Sequence, residues 1–430
     1  MLTKILYIIL ALLILMVLIT VHEFGHYIAG KIFKFKINEF SIGFGKAIYK
    51  KTKKNGEVFS IRILPLGGFC AFDGEDEEKP GYDAFNSRPA WQRLIVLFSG
   101  VFFNFIFGII TSAIYLMVAG YGVPLVSASR ANNGILAGDK IVAVNGTTIE
   151  AYRPVTDLIL KTKGQTSVTL TVIRNGKKLD IDVAKTDAAY FYVADETNIK
   201  GNLYVKVSTG GEEAEYRKVT EDEYQEFKNL VINAEVIDKD SKKVPNIEQV
   251  YYRQLENGSF EELNYNKLIK DGVLAQSNGT SMGFVYYTVA EKYGFFEALG
   301  KAWPFAFYIC KVILVALGGL FTGATKLKDM GGTLTTISTI AEYSAINPMI
   351  ILYLFPMLSL NLALFNILPI PALDGARMVF VLWELIFRKP VNRRVEGWIH
   401  TIGLFALLGL VLFLDVYHIF FAKAFMVLRL

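Results

Sequence analysis

Cysteine is almost absent from this chain: Cys70 and Cys310 are the only two. They stand far apart and close to expected membrane boundaries, so they make neither a zinc pair nor a disulfide framework. Histidine is nearly as scarce, with four residues, which makes any clustering of imidazoles informative. No basic stripe is present. The net charge of +5 is modest and dispersed, and this argues against nucleic acid as a partner. The N-terminal apolar run lacks the marks of a cleaved leader: only Lys4 precedes it, no small-residue cleavage site follows, and His22 and His26 stand where cleavage would fall. It is read as a retained helix.

What the chain has in abundance is apolar sequence. Hydrophobic residues make up 53% and the mean hydropathy is +0.36. That fits an integral membrane protein of 430 residues with room for one or two water-facing domains. The first span is expected from Ile5 to about Gly30. Eight lysines between Lys31 and Lys54 follow it and place that loop in the cytoplasm. Within the loop, Ala47–Thr52 and Glu57–Ile63 flank Asn55-Gly56, a hairpin signal. The apolar Ile61–Phe72, broken by Pro65 and Gly67-Gly68, is expected to dip toward the membrane and offer a strand edge. Leu94–Ala119 is a second, uncharged span, with Trp91 and Arg93 as interface anchors. Ala302–Phe321, Asn347–Leu373 and Ile399 to about Leu414 are three more apolar stretches.

The most informative pattern closes the first span: His22-Glu23-Phe24-Gly25-His26. On a helix, residues i and i+4 share a face, so both imidazoles reach one metal. Glu23 lies about 100° round the helix, near enough to act on a water at that metal. Zinc hydrolases commonly use three protein ligands and leave one position open. The carboxylate most closely tied to a late apolar helix is Asp374, in Asn366-Ile-Leu-Pro-Ile-Pro-Ala-Leu-Asp374-Gly375. Alone it reads as an ordinary helix-end aspartate; beside a two-histidine half-site it becomes the third ligand. A hydrolase motif at membrane depth, where polar groups are costly, points to cleavage of peptide bonds within the bilayer.

Between the spans, residues 122–183 are soluble in character. Gly134-Ile-Leu-Ala-Gly-Asp139-Lys-Ile-Val-Ala-Val-Asn145-Gly146 reads as turn, strand, turn. Pro154 then opens a short helix to about Lys161, and strands Ser167–Arg174 and Lys177–Val183 bracket Asn175-Gly176. This order resembles a PDZ domain of the permuted bacterial type, a small barrel whose groove binds peptides by strand addition. Residues 187–280 read as an insertion, with strand-like runs at Tyr190–Val193, Leu203–Val207 and Val250–Tyr252 and a helical, acidic Glu221–Leu230. The last strand of the module is expected at Ser281–Thr288.

Taken together the chain resembles the site-2 protease family of intramembrane zinc metalloproteases, most closely the bacterial regulator of sigma-E protease group. The likeness rests on His22-Glu-Phe-Gly-His26, Phe40-Ser-Ile-Gly-Phe-Gly-Lys46, Leu64-Pro-Leu-Gly-Gly-Phe69, Asn104, the PDZ signature, Asn361 and Pro371-Ala-Leu-Asp374-Gly375 in this order. Met330-Gly-Gly-Thr-Leu-Thr-Thr, where many relatives have Gly-Pro, and the long insertion depart from it. The resemblance implies His22, His26 and Asp374 as Zn2+ ligands and Glu23 as the catalytic base. It implies that Asn361, Leu66, Gly67, Gly68 and Pro371 bind substrate. Substrates would be single-pass membrane proteins, such as anti-sigma factors or signal-peptide remnants, pre-trimmed by another protease. The expected location is a bacterial cytoplasmic membrane, in contact with the lipid bilayer.

The expected architecture is an α-helical integral membrane protein with four full spans, a zinc site between helices, and an inserted β-rich PDZ-like domain on the outer side. Residues 1–121 hold two spans and the hairpin, 122–290 the module with its insertion, 291–345 an interfacial or partly inserted helix, and 346–430 two spans. Four spans are preferred over five because full crossing by Ala302–Phe321 would deliver Asp374 to the face opposite His22. Zinc bonds of about 2 Å forbid that. Lys311, Pro304 and Gly318-Gly319 are features that allow this stretch to stay at the outer leaflet. Two other functions are weighed: a proteolytically inactive PDZ scaffold with a structural metal site, against which an intact Glu23 argues, and an ion transporter, which needs polar groups along a path.

Overall fold

The structure, a computed structural model, describes residues 2–75, 84–129, 133–193, 202–207, 215–220, 223–224, 251–255, 258–263, 274–323 and 349–417. Two units separate: Met1–Tyr121 with Ala290–Met426, and Gly122–Val289. Met330–Thr336 and nearly all of Glu221–Leu230 lie outside the described residues.

The first unit is built on helices α1 (Leu2–Ile32) and α2 (Ala90–Val118). They cross closely because Gly25 has no side chain: a Cβ there would lie 2.4 Å from the Ser99 carbonyl oxygen. Small residues give apolar helices the van der Waals contact that lipid cannot replace. His26 meets α2 near Val96, and His22 meets it near Asn104, so α1 and α2 run antiparallel. Between them, strands β1 (Ile37–Thr52) and β2 (Val58–Phe72) double back on themselves. Glu39–Ile42 pairs with Gly68–Ala71 on one side and Val58–Ile61 on the other, and Ala47–Thr52 pairs back onto Val58–Arg62. The bend requires left-handed backbone at Gly43 (φ +88°) and Gly45 (φ +83°). The hairpin tip is fastened to the end of α1 through buried Glu57, which accepts hydrogen bonds from Lys31, Tyr27 and Lys53.

The later helices are α4 (Phe295–Thr322), α5 (Ile350–Ile367), α6 (Asp374–Phe387) and α7 (Arg393–Val416). α5 runs antiparallel to α2: Ser359 Oγ donates to the Asn104 carbonyl at 2.7 Å, Phe355 meets Phe107 and Tyr353 meets Tyr115, while Leu360 fills the notch left by Gly108. α1 and α5 therefore point the same way. Phe305 of α4 stacks on Tyr115 at 5.7 Å, whereas Trp303 and Phe307 lie 6.3 and 5.6 Å from Phe105. Tyr115 and Phe105 are about 15 Å apart along α2, whereas residues 303–307 span about 6 Å, so α4 crosses α2 obliquely. Among the described residues five helices, α1, α2, α4, α5 and α7, are long and apolar enough to cross a membrane.

Several sequence expectations change here. The stretch expected at Asn347–Leu373 ends its helix at Ile367 rather than Leu373, because Leu368 turns extended (ψ 145°) ahead of Pro369. The following turn launches α6, a separate helix that hydropathy did not mark. Pro304 and Gly318-Gly319 do not interrupt α4, which runs unbroken past both. Arg93 is not an interface anchor: it is 1% exposed, bridges Glu384 of α6, and its Nε donates to the Arg88 carbonyl.

In the second unit the strands β3 (Tyr121–Ser129), β4 (Lys140–Val144), β6 (Ser167–Arg174), β7 (Lys177–Ala184) and β14 (Phe284–Glu291) form one sheet in the order β14-β3-β4-β6-β7. Short β5 (Thr147–Thr148) pairs with β4, and helix α3 spans Val155–Leu160. Asn175 and Gly176 both take positive φ (50° and 76°), as a tight hairpin turn demands. Asp139 explains its own motif: buried, it accepts two bonds from Arg174 (2.7 and 2.6 Å) and one from the Leu136 amide. The final strand starts at Phe284, not Ser281. Residues Leu274–Ser281 instead form β13, which pairs in full register with β8 (Thr186–Val193) as a two-stranded neck, and Gly283 (φ +74°) turns the chain into β14. β9 (Tyr204–Val207), β10 (Glu215–Lys218), β11 (Tyr251–Gln254) and β12 (Phe260–Leu263) make a four-stranded sheet within the insertion.

Candidate metal centre

His22 and His26 project from one face of α1 with ring centroids 4.7 Å apart and Nε2 atoms 3.1 Å apart. Asp374, the first residue of α6, brings Oδ2 to 2.8 Å from His22 Nε2 and 3.2 Å from His26 Nε2. Donor atoms held about 2 Å from one ion in a tetrahedron stand roughly 3.3 Å apart. The three atoms thus converge on a single point at about the spacing zinc needs, and two neutral imidazoles with a carboxylate are a donor set zinc accepts. Among the described residues they are the group placed to hold a metal.

The surroundings fix which ring nitrogen faces that point. His26 Nδ1 lies 2.7 Å from the Val96 carbonyl oxygen, which can only accept, so Nδ1 carries the proton and Nε2 the lone pair. On the other ring, His22 Nδ1 lies 3.3 Å from the Asn104 amide nitrogen, while Asn104 Oδ1 is buried with no hydrogen-bond partner among the described residues. Turning that amide over lets Oδ1 accept from His22 Nδ1–H and satisfies both groups. Gly100 makes room for the pair: a Cβ there would lie 2.5 Å from His26 Nε2 and 2.7 Å from His22 Cε1.

Glu23 sits between the histidines in sequence, and its Oε2 accepts a 2.9 Å hydrogen bond from the Cys70 amide. The outermost strand of the folded hairpin, Gly68–Ala71, therefore meets Glu23 directly. Asn361 borders a cleft of about 260 Å3 with Leu15, Leu18, Ile19 and Phe365. Gly67 (φ +145°) approaches Ile19, which lines the same cleft; a Cβ at Gly67 would be 3.3 Å from it. Leu66 lies in β2 beside it, and Pro371 packs on Gly403 of α7. The groups that sequence reasoning missed are the Cys70 amide, the Val96 carbonyl, Gly100 and His400. Backbone groups leave no trace in residue identity. His400 had the signal of scarcity, and Gly100 that of a small residue in an apolar helix.

A model of peptidase family M50 matches residues 10–410. The regulator of sigma E protease of Haemophilus influenzae is 27% identical over 424 residues, covering 92% of this chain and 95% of its own. RseP, the regulator of sigma-E protease of Escherichia coli K12, is 27% identical over 432 residues, with 93% and 96% covered. A predicted zinc metalloprotease of Fusobacterium nucleatum is 28% identical over 410 residues, with 94% and 96% covered. With its apolar helices and nearly its whole length matched, the chain belongs to peptidase family M50, the site-2 proteases, and is a membrane zinc metalloprotease.

Proposed function

We propose that this protease cuts the membrane-spanning segments of single-pass proteins, with zinc held by His22, His26 and Asp374 and with Glu23 as base. The observation that carries the reading is the convergence of three donor atoms, two from the apolar helix α1 and one from the first residue of α6, beside an open strand edge. Zinc, when bound, supplies Lewis-acid activation of water and of the scissile carbonyl. Glu23 takes the water proton and returns it to the leaving amine. A helical substrate must first unwind, since its carbonyls are engaged by its own amides. In lipid those freed groups need partners. The Leu66–Gly68 edge and the Asn361 amide are placed along one cleft to supply them by strand addition, while Pro371 acts through the turn that presents Asp374. The relatives named as regulators of sigma-E protease make anti-sigma factors a fitting substrate class, and a substrate shortened beforehand by another protease fits a narrow cleft. The β-rich unit fits a PDZ-like module that selects what reaches the site.

Four full spans remain the preferred topology. α1 and α5 run the same way, so the chain starts α5 at the side where it left α2, and the oblique course of α4 fits a helix resting in the outer leaflet. The lysine-rich loop places the hairpin in the cytoplasm and the module outside.

Glu23→Gln is expected to abolish cleavage of a membrane-helix reporter while keeping about one zinc per chain, whereas Asp374→Asn loses both. Metal analysis of the purified variants decides it. Normal zinc content and turnover in Asp374→Asn would remove the third ligand from this assignment.

A further inference from the structure

Asp374 is presented by a turn that two helices hold: α6 through the Ala376 amide, which donates to the Leu373 carbonyl at 3.2 Å, and α7 from the other side. Ala372, two residues before it, has φ +77°, a left-handed conformation that side chains rarely adopt. The Ala372 amide donates a 3.1 Å hydrogen bond to Nδ1 of His400 on α7. The His400 ring also meets Phe380 of α6 edge-on at 5.8 Å. Three residues along α7, Gly403 lets Pro371 approach so closely that a Cβ would stand 2.1 Å from Pro371 Cβ. Most of α7 is otherwise exposed, with Leu414 and Asp415 its fully buried residues. A largely exposed helix thus makes a close contact at the turn leading into Asp374.

We infer that α7 is a positioning element for the metal centre, with His400 as a positioning residue and Gly403 as the notch that receives Pro371. His400 stabilises the strained Ala372 backbone by accepting its amide, which fixes the direction in which the chain enters α6 and so the place of the Asp374 carboxylate. His400 accepts at Nδ1, so it is the Nε2–H tautomer and touches no reacting atom. Partners one shell removed from a metal typically change its affinity by about 10–100-fold when lost. The inference rests on the reading of Asp374 as a ligand.

The test compares zinc retention of the purified full-length protein in detergent during competition with a chelator, alongside reporter cleavage. His400→Ala and Gly403→Ala are expected to release zinc about tenfold more readily than the parent. His400→Asn, whose Oδ1 takes the place of Nδ1 as acceptor, should restore retention. Gly409→Ala, with open space around it on the same helix, should match the parent. Parental retention in His400→Ala and Gly403→Ala, while Asp374→Asn still loses zinc, would overturn the positioning role and leave the ligand reading standing. Failure of His400→Asn to rescue would overturn the acceptor role. Should His400→Ala not fold, Gly403→Ala against Gly409→Ala decides. Unchanged retention in Asp374→Asn would take down the ligand reading and this inference with it.

Discussion

At the scale of single residues, the centre depends as much on atoms that are missing as on those present. Gly100 is the clearest case, since its absent side chain is the space the two imidazoles occupy. Gly100→Ala forces a methyl group against both rings, and overpacking of this kind costs about 1–3 kcal/mol unless the rings move. On the proposed reading they cannot move without leaving the metal. The expected outcome is at least about tenfold weaker zinc binding in chelator competition, with the helices intact by circular dichroism; parental affinity would show that the rings have slack. The proposed ligands are legible in the sequence, because His22 and His26 are spaced to share one helix face and Asp374 stands conspicuous after an uncharged span. Their supports are not. The Val96 carbonyl and the Cys70 amide belong to residues whose side chains say nothing of them, and Arg93 reads as an anchor until Glu384 is found beside it.

Among the elements, the folded hairpin combines sequence that is easy to read with pairing that is not. Asn55-Gly56 marks its turn, yet nothing in the pattern announces that Glu39–Ile42 is paired on both sides, since that follows from where Gly43, Gly45 and Gly67 let the chain bend. α6 was missed for a related reason: it is half-exposed and amphipathic, between stretches that hydropathy favours. The Glu57 clamp makes the hairpin's attachment pH-dependent. Burial alone would raise the Glu57 carboxyl, but hydrogen bonds from Lys31, Lys53, Tyr27 and Asn55 outweigh it and hold the group at about 2, below its ordinary 4.5. A depressed carboxyl stabilises the folded form fully above about pH 4.5 and loses that contribution as pH falls toward 2. The full shift corresponds to about 3 kcal/mol at most, and the partly exposed lysines reduce it. Glu57→Gln should therefore lower amide-exchange protection across Lys51–Glu57 at pH 7 and match the parent near pH 2. Equal protection at pH 7 would mean that the clamp contributes nothing.

For the whole molecule, hydropathy alone gives five helices able to cross, while the chemistry asks that His22 and Asp374 share a depth. Only the direction of α5 relative to α1, invisible in one dimension, speaks to the conflict. Single cysteines in a background without Cys70 and Cys310, probed with an impermeant maleimide on intact cells, test it. Thr322 at the end of α4 and Asn175 in the β-rich unit should label from outside, and Asn55 and Arg388 should not. Thr322 protected together with Arg388 labelled would make α4 a true crossing. The two halves of the centre also stand 352 residues apart in the chain. At ribosomal rates of about 5–20 residues per second, the interval between synthesis of the first ligands and the third is roughly 20–70 s. Throughout that time the nascent protein, already threaded into a bilayer crowded with other helices, has the proposed base Glu23 and two imidazoles but lacks the carboxylate proposed to complete the site. On the proposed ligand set, competence arrives only once Asp374 has been made, so a copy cut short before it is harmless to its neighbours.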